Sequence, residues 1–272
     1  MKNQKHSPGL LDIYDPEAPY ATEFRRLLHS LTIKQVTPAP KTILITSAML
    51  SEGKSTIAAF LSMTSAVHKK KKTLLMDCDL RRPTIHRLFG LERENGITEA
   101  LIGDRKVREV VKKTANEYLD ILTAGKAVTS PTDVFDSTAI SRLLEELNFY
   151  YDLILIDCAP VLPVSDPMLL ASEMDGVLMV VKAGTTQREV VKRAIGLLQS
   201  DNSRFLGVVM NNLNNSLPYY YSDGYYGYEY QMPQNNNRRQ QPKGKNAPEN
   251  QPREKIKKSP DNQAKSPSEQ SG

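Results

Sequence analysis

Residues 42–46 form a short run rich in β-branched side chains, and residues 54–67 have the length and apolar spacing of a helix. Between them stands Ser47-Ala48-Met49-Leu50-Ser51-Glu52-Gly53-Lys54-Ser55-Thr56. A strand, a loop ending in Gly-Lys-Ser and a helix in direct succession make a phosphate-binding P-loop, although Ala48 stands where a first glycine is usual. Backbone amides at Ser51, Glu52, Gly53, Lys54 and Ser55, together with the helix N-terminus, are placed to cradle phosphates. Lys54 would reach the outer phosphates of ATP, the Ser55 hydroxyl would hold magnesium, and Thr56 is a further phosphate contact. A glycine turn before an ordinary helix also accounts for the tripeptide alone. Two acidic strand ends downstream favour the nucleotide reading.

Residues 73–77, 119–122, 153–157, 176–181 and 205–210 read as further strands, several of them apolar without alternation, as strands buried on both faces are. Residues 134–147 and 187–198 have helical spacing. Strands separated by helices imply an α/β fold with a mostly parallel, doubly wound sheet of the P-loop NTPase type and helices on both faces. Ligands of such a sheet bind at the carboxyl ends of its strands, where the motifs fall. Cys78 and Cys158, each following an aspartate in a strand-like run, suit small core positions in a reducing compartment.

A P-loop enzyme needs a carboxylate at a neighbouring strand end to support magnesium, and Asp157 at the end of Leu153-Ile154-Leu155-Ile156-Asp157 supplies it. A second acidic strand end, Leu74-Leu75-Met76-Asp77-Cys78-Asp79-Leu80-Arg81, is less usual. In an extended segment Asp77 and Asp79 share a side. A water-activating ATPase hardly needs both; transfer of phosphate to a phenol does, because one carboxylate can assist the metal while the other accepts the hydroxyl proton. We read Asp77 as the base and Asp79 with Asp157 as metal-supporting groups, and spacing leaves the reverse assignment open. Arg81 and Arg82 are placed either to stabilise the transferred phosphoryl group or to make ordinary surface pairs.

The net charge of +5 resides entirely in residues 231–272, which hold nine basic and four acidic residues; the rest of the chain has 27 of each. No basic nucleic-acid groove is indicated. That segment, poor in apolar residues, reads as a disordered basic tail. Just before it lies a cluster of Tyr219, Tyr220, Tyr221, Tyr225, Tyr226, Tyr228 and Tyr230, seven of the chain's twelve tyrosines. Residues 1–40 read as an N-terminal segment with an amphipathic helix at 19–31 and a proline linker, 41–217 as the catalytic domain and 218–230 as the tyrosine cluster. No run approaches the roughly 20 apolar residues of a membrane span, and the first residues have no signal-type apolar stretch, so a cytoplasmic location is expected.

With its P-loop, an Asp-x-Asp-x-Arg motif, a Walker B strand and a C-terminal tyrosine cluster in that order, the chain resembles the cytoplasmic bacterial tyrosine kinases over about residues 18–230. The resemblance implies a protein-tyrosine kinase that uses ATP and Mg2+, autophosphorylates its tyrosine cluster between molecules and serves capsular or extracellular polysaccharide synthesis. It also implies a membrane-anchored activator that recruits the kinase to the inner face of the membrane, further tyrosine substrates and a homo-oligomer. Asn211, at the end of Gly207-Val208-Val209-Met210-Asn211, matches an asparagine that contacts adenine in related ATPases. Two features depart from the pattern: Leu50-Ser51 replaces the common Pro-Gly, and Glu-x-x-Arg-x-x-Arg of the oligomer helix is met only in a shifted register, by Glu23, Arg26 and His29.

Two other functions fit parts of this pattern. A partitioning or division ATPase of the same fold would act as a nucleotide-dependent switch, but such proteins carry a lysine where Met49 stands. A non-catalytic scaffold would use ATP only to control assembly, with the tyrosine cluster as a docking peptide.

Overall fold

The structure is a computed structural model and describes residues 9–33, 38–200 and 203–212. The elements run α1 (Leu10–Ile13), α2 (Pro19–Ile33), β1 (Thr42–Ser47), α3 (Lys54–Lys69), β2 (Thr73–Asp77), α4 (Ile85–Leu88) and α5 (Ile97–Leu101). They continue with α6 (Val107–Val110), β3 (Lys112–Lys113), β4 (Leu119–Leu122), α7 (Pro131–Val134), α8 (Ser137–Asn148), β5 (Leu153–Asp157), α9 (Asp166–Ala171), β6 (Gly176–Lys182), α10 (Arg188–Ser200) and β7 (Phe205–Asn211). Among the described residues the strands form one sheet in the order β3-β4-β2-β5-β1-β6-β7. Every neighbouring pair is parallel except β3 with β4.

Alternate side chains of each strand enter two separate cores. Leu44, Leu74, Met76, Ile154 and Ile156 pack on one face with residues of α5, α8, α9 and α10. Ile43, Ile45, Leu75, Leu153 and Leu155 pack on the other with α2, α3 and α4. Because both faces are covered, β1, β2 and β5 are buried at every position, and polarity does not alternate along them. Cys78 and Cys158 are free thiols buried in the first of these cores.

Carboxylates fasten the amino ends of the strands. Asp175 Oδ2 accepts the amides of Lys41 and Thr42 at 2.8 Å each, and Asp152 Oδ2 accepts that of Lys72 at 2.9 Å. Against α3, Phe60 stacks on Phe24 with ring centroids 5.3 Å apart and meets Tyr20 edge-on at 5.1 Å, which seats α2 on the sheet's helix layer.

The single helix expected over 134–147 is broken. Phe135 and Asp136 separate α7 from α8, and Asp136 Oδ1 accepts the Ala139 amide at 3.0 Å, so the aspartate caps the second helix rather than joining the two. The short α4, α5, α6 and α9 were not anticipated at all.

Leu155 is wholly buried in a central strand. Leu155→Ala should lower stability by about 2–5 kcal/mol through lost burial and a residual cavity. A urea midpoint unchanged from wild type would contradict this placement of the core.

Candidate active site

The site forms where the carboxyl ends of β1, β2 and β5 meet. Parallel register sets Asp77 directly opposite Asp157, and Asp157 opposite Ile45. The loop from Ala48 to Gly53 then turns over these ends into α3.

That loop is tied down from three sides. The Ser47 hydroxyl donates to the Met49 carbonyl at 2.7 Å. The Glu52 carboxylate, 2 % exposed, accepts the Met49 amide at 2.6 Å, the Lys182 amide at 3.3 Å and the Thr186 hydroxyl. Asn211 Nδ2 donates to the Glu52 carbonyl at 2.9 Å, while its Oδ1 accepts the Asn212 amide. Of the groups assigned from sequence to ATP, the Glu52 side chain is therefore turned into the fold as a brace, leaving its backbone to the phosphate cradle. Asn211 is likewise a loop tether. Gly53 has φ +94°, which favours glycine, and a Cβ there would lie 2.2 Å from Asn211 Nδ2 and displace that tether. Ser51 adopts φ +63° without being glycine, a conformation that costs about 1 kcal/mol or more for an L residue.

Lys54 points from the first turn of α3 into the carboxylate group. Its ammonium donates to Asp79 Oδ2 at 2.7 Å, lies 3.7 Å from Asp157 Oδ1, and is 3.4 Å from the Ser55 hydroxyl. Burial by itself disfavours this charge, but attraction to Asp157 and Asp79 outweighs it and raises the pKa. Thr56 is exposed at the same helix start.

The two aspartates of the second motif do not remain side by side, because β2 stops at Asp77. Asp77 Oδ2 accepts the amides of Thr84 and Ile85 at 3.0 Å each, and its Oδ1 accepts the Asp79 amide at 3.3 Å. Asp79 instead uses Oδ2 for Lys54 and Oδ1 for the Arg82 amide at 2.9 Å. Burial, followed by repulsion from Asp157, pushes Asp77 up to about 8. Burial also lifts Asp157 to about 6 against the pull of Lys54 and Ser55.

Asp157 has no exposed surface, and neither of its side-chain oxygens has a hydrogen-bond partner. A buried carboxylate that accepts no hydrogen bond and is balanced only by Lys54, beside the Ser55 hydroxyl and Asp79, is the hard-oxygen donor set that suits Mg2+ held partly through water. These residues fit the ion. No group of three or more His, Cys, Asp or Glu side chains among the described residues forms a ready-made cage, in keeping with magnesium's preference for water and phosphate ligands.

Arg81 is held away from the Lys54 cluster. Its Nε and Nη2 donate to Asp166 Oδ2 and Oδ1 at 3.0 and 3.3 Å, and Nη2 donates to Thr132 Oγ1 at 2.9 Å. Thr132 donates in turn to Asp166 Oδ1 at 2.7 Å. Asp166 is fully buried, and its hydrogen bond to Arg81 raises the guanidinium pKa. This clamp joins the Asp77–Arg81 loop to α7 and α9. Thr132 and Asp166 were missed from sequence; a helix start of the Ser165-Asp166-Pro167 type is the local signal at that place, and it names no partner. The tyrosines 219–230 lie outside the described residues.

Comparison with known proteins agrees with this geometry. The AAA domain family matches residues 41–200. The tyrosine-protein kinase YwqD of Bacillus subtilis is 33% identical over 219 residues, covering 80% of this chain and 91% of that one. The putative tyrosine-protein kinase CapB of Staphylococcus aureus is 30% identical over 228 residues, 82% of this chain and all of the relative. The crystal structure of the chimerical protein CapA2B2 superposes with a TM-score of 0.69 at 30% identity, covering 75% of this chain and 89% of that one. The septum site-determining protein MinD of Pyrococcus horikoshii, complexed with Mg-ADP, covers 65% of this chain and 72% of that chain with a TM-score of 0.56. At 24% identity, that likeness speaks for the fold alone.

Two outcomes follow from the site. Ser51→Gly should raise stability by about 0.5–1 kcal/mol by releasing the left-handed strain, whereas Ser51→Ala should not; equal melting temperatures for Ser51→Gly and Ser51→Ala would contradict it. The second concerns Asp157, whose folded pKa lies above its unfolded value, so its favourable contribution is present at low pH and is lost as pH rises from about 4 through about 6. Without metal or nucleotide, Asp157→Asn should therefore be more stable than wild type above pH 6, by at most about 3 kcal/mol, and the advantage should fade towards pH 4. Melting curves in chelator showing a pH-independent difference would rule this out.

Proposed function

Because the chain belongs to the bacterial tyrosine-protein kinases, we propose that it transfers the terminal phosphoryl group of ATP to tyrosines of its own cluster, Tyr219, Tyr220, Tyr221, Tyr225, Tyr226, Tyr228 and Tyr230, in a neighbouring molecule. By this activity it regulates capsular or extracellular polysaccharide synthesis and export. The observation that carries the reading is the meeting of Lys54 with Asp79 and Asp157 beside a P-loop, with Asp77 in register opposite Asp157 on the adjacent strand.

In this reading the amides from Ser51 to Ser55 hold the phosphates, and Lys54 exchanges its carboxylate partners for the outer phosphate oxygens. Ser55, Asp79 and Asp157 would hold Mg2+, which when bound neutralises charge on the phosphate oxygens. Asp79 already spends both oxygens on Lys54 and the Arg82 amide, which suits it to the phosphate side of the site. Asp77, pushed up to about 8 and held in place by the amides of Thr84, Ile85 and Asp79, is the group to which we assign the phenolic proton. Arg81, clamped by Asp166 and Thr132, supports catalysis by fixing the loop that carries both aspartates.

A membrane-anchored activator, an oligomeric state and further tyrosine substrates belong to the same proposal. None of the described helices is long and apolar enough to cross a membrane.

The test mixes unmodified protein with full-length Lys54→Met enlarged by a tag, in ATP and magnesium. Lys54→Met alone should form no phosphotyrosine, because a neutral side chain of similar volume cannot offset phosphate charge. In the mixture the enlarged band should be labelled at a rate that rises with protein concentration. Phosphotyrosine on Lys54→Met alone would overturn the site assignment, and a labelled wild-type band beside an unlabelled mutant would overturn transfer between molecules.

A further inference from the structure

At the amino ends of the strands, on the side of the sheet opposite the Lys54 cluster, lies a cavity of about 340 Å³ lined by Lys72, Arg108, Lys113, Asp120, Tyr150 and Tyr151, among others. Lys72 immediately precedes β2, and Tyr150 and Tyr151 precede β5. The activity proposed above makes no use of it.

Its charges are unequally spent. Lys113 is bound to the buried Asp120 at 2.6 Å, and Asp120 also accepts the Tyr151 hydroxyl at 2.7 Å, so that carboxylate is neutralised inside the wall. Lys72 donates to the Glu117 carbonyl, a neutral partner, and lies 5.3 Å from the centre of the Tyr118 ring. The Arg108 guanidinium carbon lies over the Tyr150 ring, 4.1 Å from its centre, and Nε is 3.8 Å from Glu146, both charged side chains being about half exposed. A dianion would readily displace so loose a pair. Beside the mouth, Phe149 is 84% exposed and packs edge-on against Tyr150 at 5.1 Å. Lys69, Lys70 and Lys71 adjoin Lys72 in sequence.

A concave site with two available cations, one preset by stacking, and aromatic walls is matched to an aryl phosphate. Guanidinium and ammonium groups pair with the phosphate, while rings pack on the phenyl. We infer that this cavity binds phosphotyrosine of the chain's own 219–230 segment, an inference that rests on the proposed autophosphorylation. That segment is complementary: with residues 213–218 it contains no Lys or Arg, and it carries Asp223 and Glu229 among its seven tyrosines. Each added phosphate contributes about 1.5 to 2 negative charges at neutral pH. Thirteen residues from Asn212 to Tyr225 can span about 43–47 Å. The sheet is about 23 Å tall at seven residues, and β5 stands three strand spacings, about 14 Å, from β7. The cavity is thus within reach of the same chain as well as of a neighbour. Phosphorylation would move the segment from the carboxyl ends of the strands to their amino ends, clearing product from the site that made it.

The experiment measures anisotropy of a synthetic peptide covering residues 218–230, phosphorylated at Tyr225, Tyr226 and Tyr228 or unmodified. It is titrated with full-length Lys54→Met in saturating Mg-ADP, which keeps the peptide out of the P-loop. The phosphopeptide should bind at least tenfold more tightly than the unmodified one. Arg108→Glu and Lys72→Glu, both surface changes, should each weaken it at least fivefold without altering melting temperature. Equal binding of the two peptides, or unaltered binding by both variants, would overturn the proposal. So would capture by anionic vesicles that the phosphopeptide does not compete away, since the face would then be a lipid surface. Because the phosphates are synthetic, these outcomes do not depend on whether the chain phosphorylates itself. Crosslinking of phosphorylated full-length protein across a dilution series separates the two sources: a constant yield marks binding within one chain, a falling yield binding between chains.

Discussion

The parallel pairing of β2 with β5 sets Asp77 against Asp157 in an interior that solvates neither. Two buried carboxylates in register repel, and each is costly to ionise. One ammonium, that of Lys54, offsets part of this cost, and it comes from α3 through a loop that must turn tightly to deliver it. The P-loop braces follow from that requirement. Glu52 is buried so that its carboxylate can hold the Met49 and Lys182 amides, and Asn211 crosses from the far strand to hold the Glu52 carbonyl. With the loop held at both ends, the left-handed Ser51 persists despite its strain.

The charged groups assigned to phosphate and phenol in the proposed reaction are also the buried groups that cost the fold most to ionise. Asp157, buried with no hydrogen-bond partner, is balanced only by the Lys54 ammonium 3.7 Å away. Asp77 differs, because it also starts α4 by accepting the Thr84 and Ile85 amides. The Arg81 clamp spreads the constraint further: a buried Asp166 needs a cation, Arg81 supplies it, and the chain between Asp79 and Pro83 is thereby fixed relative to α9.

The sheet was legible because its signal is local. Strands buried on both faces write continuous apolar runs, and residues 73–77, 119–122 and 153–157 were read with the observed limits. The P-loop and both acidic strand ends were legible for a related reason, since each chemical residue stands at a fixed offset from its strand. The two-residue β3 and the short helices offer no full period to detect. The break at Asp136 was hidden because Val134 and Ile140 continue an apolar spacing across it, while the cap acts through a side chain whose conformation spacing does not show. The inward turn of Glu52 and the partners of Arg81 depend on contacts across 130, 51 and 85 residues, which no local pattern encodes.

The two ends of the sheet solve opposite problems. At the carboxyl ends, Asp157 alone of the three aspartates accepts no hydrogen bond, which keeps its oxygens available for exchange with a ligand. At the amino ends the carboxylates of Asp152 and Asp175 are satisfied by backbone amides, and Asp120 is satisfied by Lys113 and Tyr151. Those carboxylates have partners in the fold, while Lys72 and Arg108 stand exposed beside them. The parallel strands gather their amino ends on one side, so the buried acids of β2 and β5 stand at one end of the sheet while Lys72, Arg108 and Tyr150 stand at the other.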